Sequence, residues 1–557
     1  TTRFNWVGFV PGEFAIDITD PEGDTERIVF NPSGSDGLDG ALWKRPQGMR
    51  TDGGGYVVAH WGKQAYAESL RGGSLAGATL HVFQRSETFA SVGRGLMAVK
   101  LPLENTVWFN YPGQGAAALP GIGDQPTRIG RVLDDGSTQL WEADRDAWGN
   151  LVRSVDPLGR TTRYIYAANS IDLLEVRQVI GPREELLVRM SWNDRHQPLT
   201  VTDAAGQTTR YAYNSRGQLT SATNPLNETT TFQYDANGFL SAIDGPLAGT
   251  QDRNAFTYDP IGRVRTATDP DGYQVAFDYD ALDRVTRVTF PDGTYESMVY
   301  DRMELGVLRD RLGQESRFTH DGLRRITAVQ DALGRVTRLQ WCGCGDLAAL
   351  IDPLGRMTQW HRDVQGRVIA QEYADGSRVT YDYESSTSRL RLRRDERNQI
   401  TELTYNAADE MIARRYLNPA QPTPDVFLTF DPHYRRVATM TDGNGTTTFR
   451  YHPVNGQRGA GQLATVDGPW PNDEITYSYD ALGRVLERAI AGVAVRRTYD
   501  PAGRLTRMTN ALGAFDYTWD GATDRLASVL YPNGQRTEYA YQRSEEHTSE
   551  LQSRQVI

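Results

Sequence analysis

The chain reads as all-β, a long antiparallel array of β-hairpin repeats. Three observations carry that reading. An aromatic–polar pair returns about every 21 residues, each interval holds two turn signals, and apolar residues alternate between the turns.

The pair appears as Tyr213-Asn214, Tyr234-Asp235, Tyr258-Asp259, Tyr279-Asp280 and Tyr300-Asp301. It continues, in variant form, through His320-Asp321, Trp341-Cys342, His361-Arg362, Tyr383-Glu384 and Tyr405-Asn406. Phe430-Asp431, Tyr451-His452, Tyr479-Asp480, Tyr499-Asp500, Trp519-Asp520 and finally Tyr541 complete the run.

The first turn signal is Asp-Pro-x-Gly, as in Asp156-Pro157-Leu158-Gly159, Asp269-Pro270-Asp271-Gly272 and Asp352-Pro353-Leu354-Gly355. Asp at the first position, Pro fixing φ at the second and Gly at the fourth specify a type I turn. The second follows the aromatic residue, as in Asp259 to Gly262-Arg263, Asp480 to Gly483-Arg484 and Asp500 to Gly503-Arg504; Gly238 holds the same place after Asp235. A type I turn followed by Gly in the left-handed region predicts a hairpin with a bulge. Between turns, Tyr273, Val275, Phe277 and Tyr279 alternate with polar or small residues, predicting a strand with one buried and one wet face. After the second turn the spacing shifts to Val285, Val288 and Phe290, as a bulge requires. One hairpin cannot bury its aromatic face alone, so neighbours must complete each repeat. A β-propeller competes, but its blades need four strands and a period near ~40 residues.

The pattern Tyr-Asp-x-x-Gly-Arg alternating with Asp-Pro-x-Gly resembles the YD-repeat, or RHS-repeat, family: Rhs proteins, wall-associated proteins, toxin-complex shell subunits and teneurins. It runs from about Trp141 to Gln542. The resemblance implies hairpins spiralling into a hollow shell or part of one, able to enclose a toxin at the C-terminus of the same full-length protein. It also implies a bacterial, secreted or cell-surface setting.

Residues 1–140 are expected to be β-rich with degenerate repeats, or a plug, since Asp20-Pro21-Glu22-Gly23 and Phe30-Asn31-Pro32-Ser33-Gly34 follow the two-turn logic before the period lapses. Residues 141–542 form the array. Asn418 to Pro424 and Gly468 to Pro471 read as loop insertions, and spacing also stretches near 170–190. Residues 543–557 break the pattern and match the translation of a sequencing-adapter oligonucleotide, so they are set aside as an artefact. The chain begins at Thr1, so a leader and the reading frame beyond the tail are expected to lie outside it.

The net charge of −11 opposes general nucleic-acid binding, and no apolar run reaches the roughly 20 residues that span a bilayer. Cys342-Gly343-Cys344 is expected to be a glycine-rich turn carrying two thiols, too close in sequence for an easy bridge. His320 and His361 are expected to replace Tyr in packing. The recurrent aspartates read as turn caps and the recurrent arginines as stems lying along the sheet, which leaves no catalytic, cofactor or metal site. The positions expected to matter are structural: Tyr234, Asp235, Gly238, Tyr258, Asp259, Gly262, Arg263, Tyr279, Asp280, Tyr479, Asp480, Gly483, Arg484, Tyr499, Asp500, Gly503 and Arg504. The resemblance implies two non-enzymatic roles. One is a shell that encloses and delivers a toxin; the other is a surface adhesion scaffold contacting carbohydrate.

Overall fold

The computed structural model describes residues 2–10, 13–30, 43–69, 75–85 and 92–541. The second-turn signal at Asn31 to Gly34 and the tail 543–557 lie outside them. Strands dominate: 45 occur among the described residues, with one α-helix, Lys63–Ser69. Every described pairing along the repeats is antiparallel and joins strands adjacent in sequence, as between Val264–Thr268, Gln274–Tyr279 and Val285–Thr289. Short turns make that the least costly topology.

The bulge falls at the same place in each repeat. Register shifts between Asp278 and Tyr279, Gln233 and Tyr234, Ser478 and Tyr479, and Thr498 and Tyr499, immediately before the aromatic residue. At the other end of each strand no shift occurs, so Gln274 faces Thr268 directly. The turn glycines have the left-handed backbone the motif calls for, with Gly262 at φ +91° and Gly272 at φ +80°. The expected one-sided burial is shallower than the alternation suggested. In Gln274–Tyr279 five of six residues are half-buried and Gln274 is exposed. Same-face neighbours on adjacent strands give that degree of shielding.

The chain divides into two compact units. The first comprises Thr1–Arg163, Val299–Leu308 and Gln314–Arg435. It holds a conventional core in which Val57, Ala59, Leu80, Val82, Met97, Ala98 and Trp108 are all buried, drawn from Tyr56–Trp61, Thr79–Arg85, Val92–Lys100 and Val107–Asn110. Ala65 of the helix packs into this cluster, and the Trp108 indole Nε1 donates to the Lys44 carbonyl at 2.9 Å, satisfying its only polar atom. Neither helix nor core was legible in the lapsed repeat.

The second unit comprises Tyr164–Met298, Arg309–Gly313 and Arg436–Ile557. Its stretched spacing near 170–190 is a longer hairpin, Leu173–Ile180 with Arg183–Trp192. The segment 468–474 lies outside strands, between Leu463–Asp467 and Ile475–Tyr479. In the first unit, 418–425 likewise joins Met411–Leu417 to Val426–Phe430 without strand.

Candidate functional site: hooks between repeats and meetings between turns

Where it is present, aspartate builds the second turn, as after Tyr258. Asp259 Oδ1 accepts the backbone N–H groups of Ile261 and Arg263, both at 3.0 Å, while Oδ2 accepts from Arg263 Nε at 2.7 Å. The guanidinium so fixed extends into the next repeat. It lies 4.6 Å from the ring centroid of Tyr279, and its Nη1 donates to the Asp280 carbonyl at 3.0 Å. The Tyr279 hydroxyl in turn donates to the Val264 carbonyl at 2.8 Å. Consecutive hairpins are thus hooked by an Asp-Arg-aromatic unit combining an ion pair, a cation–π contact and a hydrogen bond to backbone.

The hook recurs. Arg484 pairs with Asp480 at 2.6 Å and lies 4.5 Å from the Tyr499 ring, and Arg504 pairs with Asp500 at 2.8 Å and faces Trp519. Tyr234, Tyr258, Tyr479 and Tyr499 donate to the carbonyls of Leu219, Leu240, Leu463 and Val485, at 2.7 to 3.0 Å. Gly238, Gly483 and Gly503 all have positive φ. Where Arg is replaced, its work is kept. Phe239 follows Gly238 and stacks on Tyr258 at 4.9 Å, while Gln218 donates to the Gly238 carbonyl at 2.8 Å.

Three expectations need correction. The arginines are not merely apolar stems on the sheet; their charged ends join repeats, because Asp orients the guanidinium toward the next aromatic ring. His361 does not stand at the aromatic position. The bulge lies between His361 and Arg362, so Arg362 takes that place and its Nη2 donates to the Leu347 carbonyl at 3.3 Å, with Asp363 capping the turn. His320 does occupy it, following the bulge after Thr319. Cys342 and Cys344 form the predicted turn, with Gly345 N–H bonded to the Cys342 carbonyl at 3.0 Å, but they are joined in a disulfide. The turn bends the backbone out of the strand and brings their Cα atoms to 5.1 Å, within bridging range.

Turns also meet other turns far away in sequence. In the first unit, Arg160 Nη1 donates to Glu410 Oε1 at 2.8 Å across 250 residues, and Ser385 N–H donates to Asp134 Oδ2 at 3.0 Å across 251. In the second, Arg525 Nη2 donates to Asp271 Oδ2 at 3.1 Å across 254 residues, and Gly456 N–H to the Ala204 carbonyl at 3.3 Å. In each case a first-type turn meets a second-type turn. Nothing in the motif specifies this spacing.

A recess of about 530 Å³ in the first unit is lined in part by Lys100, Glu104, Arg367 and Tyr383. Burial pushes the Lys100 ammonium below its usual range, opposed by the nearby Glu104 carboxylate. Glu104 is itself engaged by Arg131 and Gln365. Among the described residues no three His, Cys, Asp or Glu side chains are grouped so as to hold a metal ion, and no helix is long and apolar enough to cross a membrane.

These features define a tandem β-hairpin scaffold whose recurrent side chains bind one repeat to the next. Residues 176–411 match the teneurin YD-shell family model, and residues 479–514 and 499–536 match the RHS repeat model. The chain is a YD-repeat, or RHS-repeat, protein. Its fold is also that of a chain in a Photorhabdus luminescens Tc holotoxin pore structure, with a TM-score of 0.50 at 12% identity, over 97% of this chain and 34% of the other. A TcdB2–TccC3 crystal structure aligns at a TM-score of 0.39 and 14% identity, over 96% of this chain and 27% of that one. The chain therefore spans about a third of the length of these solved chains or less. No curated protein matches it.

Proposed function

We propose that the array is a section of a secreted, toxin-carrying shell, a non-enzymatic wall around a polypeptide belonging to the same full-length protein. The observation that carries this reading is the pairing of two kinds of bond. Hooks join each repeat to its successor, and turn-to-turn bonds join repeats some 250 residues apart. A wall that must keep a polypeptide in and proteases out needs cohesion along the array and between its distant parts. The fold shared with a chain of a Tc holotoxin supports the same reading. The repeated aspartates, which could suggest acid–base chemistry, cap backbone N–H groups of their turns at Asp259, Asp480 and Asp500, consistent with a scaffold.

The test is protease protection in the full-length protein encoded by the complete gene. The polypeptide following the repeats is expected to survive a protease that rapidly degrades the same polypeptide expressed alone. Digestion at equal rates would overturn the enclosure reading and favour the competing role, a surface scaffold displaying loops to carbohydrate.

A further inference from the structure

The pentapeptide Asp-Pro-Leu-Gly-Arg occurs twice in the chain, at 156–160 and 352–356. Both copies fold alike. Asp156 Oδ1 accepts the N–H groups of Leu158 and Arg160 at 2.9 Å, and Asp352 does the same for Leu354 and Arg356. Arg160 Nε reaches Asp156 at 2.5 Å, and Arg356 Nε reaches Asp352 at 2.6 Å. Their surroundings differ sharply. The Arg160 side chain is 5% exposed and that of Arg356 is 67% exposed.

The difference is an occupant. Over Arg160 lies the turn Asn406 to Glu410, whose fifth residue supplies a carboxylate that is itself 2% exposed, with the Tyr434 carbonyl also accepting from Arg160 Nη1 at 3.3 Å. Asn406 Nδ2 holds the other oxygen of Glu410 at 2.7 Å, so the carboxylate arrives already oriented. Arg356 has only its own Asp352 as an ion-pair partner among the described residues. The preceding first-type turn, Asp331-Ala332-Leu333-Gly334-Arg335, is equally open: the Arg335 side chain is 62% exposed, and Leu333 and Leu354 are 77% and 78% exposed. At the covered copy, the corresponding Leu158 falls to 44%.

Four other first-type turns meet second-type turns far away in sequence. Those containing Asp134, Ala204 and Asp271 bond to the second-type turn regions containing Ser385, Gly456 and Arg525. Glu22, in Asp20-Pro21-Glu22-Gly23, accepts the N–H of Gly322, again in a second-type turn.

We propose that the turns Asp331 to Arg335 and Asp352 to Arg356 form a docking surface for the second-type turn of a further YD hairpin segment. Arg356 receives a carboxylate from that turn's fifth position, as Arg160 receives Glu410, and Leu354 is shaded by the arriving turn. The partner chemistry is specific: an Asx-initiated turn of the form Tyr-Asn-x-x-Asp-Glu, its acid held by its own Asn. The docking surface does not depend on what the array encloses.

The probe is a fluorescent, backbone-cyclised peptide copying Ile400 to Leu417, cyclised because an isolated hairpin is marginally stable. It is titrated into the whole chain by fluorescence polarisation. Saturable binding is expected, weakened at least tenfold by the double variant Arg335→Glu, Arg356→Glu. A peptide carrying Glu410→Lys should reverse the preference and bind the double variant more tightly than the parent. Both arginines are exposed, so unchanged far-ultraviolet circular dichroism is expected; if the double variant misfolds, Arg356→Gln with the parent peptide replaces it. No saturable binding up to the peptide's solubility limit would overturn the proposal, as would equal binding by parent and variant or a preference that does not reverse.

Discussion

The Arg263 guanidinium lies over the Tyr279 ring, 4.6 Å from its centroid, while the Tyr279 hydroxyl donates back to Val264, the residue after that arginine. Two neighbouring hairpins are closed by these two side chains from opposite directions. Tyr279→Phe keeps the ring and loses the hydrogen bond, an expected cost of about 1 kcal/mol. Tyr279→Ala loses both and should cost about 2 kcal/mol, since the ring is only half-buried. Repeat arrays can unfold locally, so the measurement is amide hydrogen exchange in strands 264–268 and 274–279. Equal exchange in Tyr279→Phe and parent would show that the hydroxyl contributes nothing.

Two turn glycines separate backbone strain from crowding. A Cβ on Gly262 would lie 2.6 Å from Phe239 Cζ, whereas on Gly355 it would meet nothing within 4 Å. Both have positive φ, +91° and +80°. Gly355→Ala is expected to cost about 1 kcal/mol from conformation alone, and Gly262→Ala more, because Phe239 must also leave its stack on Tyr258. Thermal or urea unfolding of the two variants checks the order, and a greater loss at Gly355 would contradict it.

The Arg160–Glu410 pair is nearly inaccessible to water on both sides. Burial disfavours the Arg160 charge, yet the bonds to Asp156 and Glu410 outweigh it and raise the group above its ordinary value. Glu410→Leu should therefore cost about 3 kcal/mol by leaving a buried guanidinium short of a partner, while adding Arg160→Met should recover much of the loss. A double-mutant cycle reads the coupling. Additive effects of the two substitutions would deny it.

The turn carboxylates set the acid limit of the array. The Arg284 bond holds Asp280 below the ordinary value of 3.8, against the opposing effect of burial and with help from the backbone N–H groups of Arg284 and Leu282. Thr294 and Arg311 do the same for Asp292. A carboxylate lowered on folding contributes stability above its unfolded value and loses it as pH falls through the folded one. The urea midpoint is thus expected to be level from neutral pH to about 5 and to fall progressively as pH drops below about 4. A midpoint unchanged down to about pH 2 would show that these turns do not depend on ionised aspartate.

Most of the repeat was legible because its determinants are local. Asp, Pro and Gly at fixed offsets dictate backbone angles within four or five residues, so turns, bulge and strand order followed from the pattern. The aromatic register failed at His361, because its imidazole ring mimics the expected aromatic residue one position before the place the bulge defines. The bulge, a backbone feature, fixed it at Arg362. The N-terminal core was invisible for the opposite reason, since Leu80, Met97 and Trp108 come together without a shared period.

Local residues specify each hairpin's turns and, apart from the repeat at His361–Arg362, its bulge and returning aromatic residue. The identical pentapeptides at 156–160 and 352–356 show what the sequence by itself could not determine, for one arginine is buried against Glu410 and the other lies open. A turn's shape is set by bonds within five residues, whereas its occupant arrives from 250 residues away through the accumulated geometry of many strands. Tertiary structure alone decided which arginine was buried against a distant turn and which lay open to solvent.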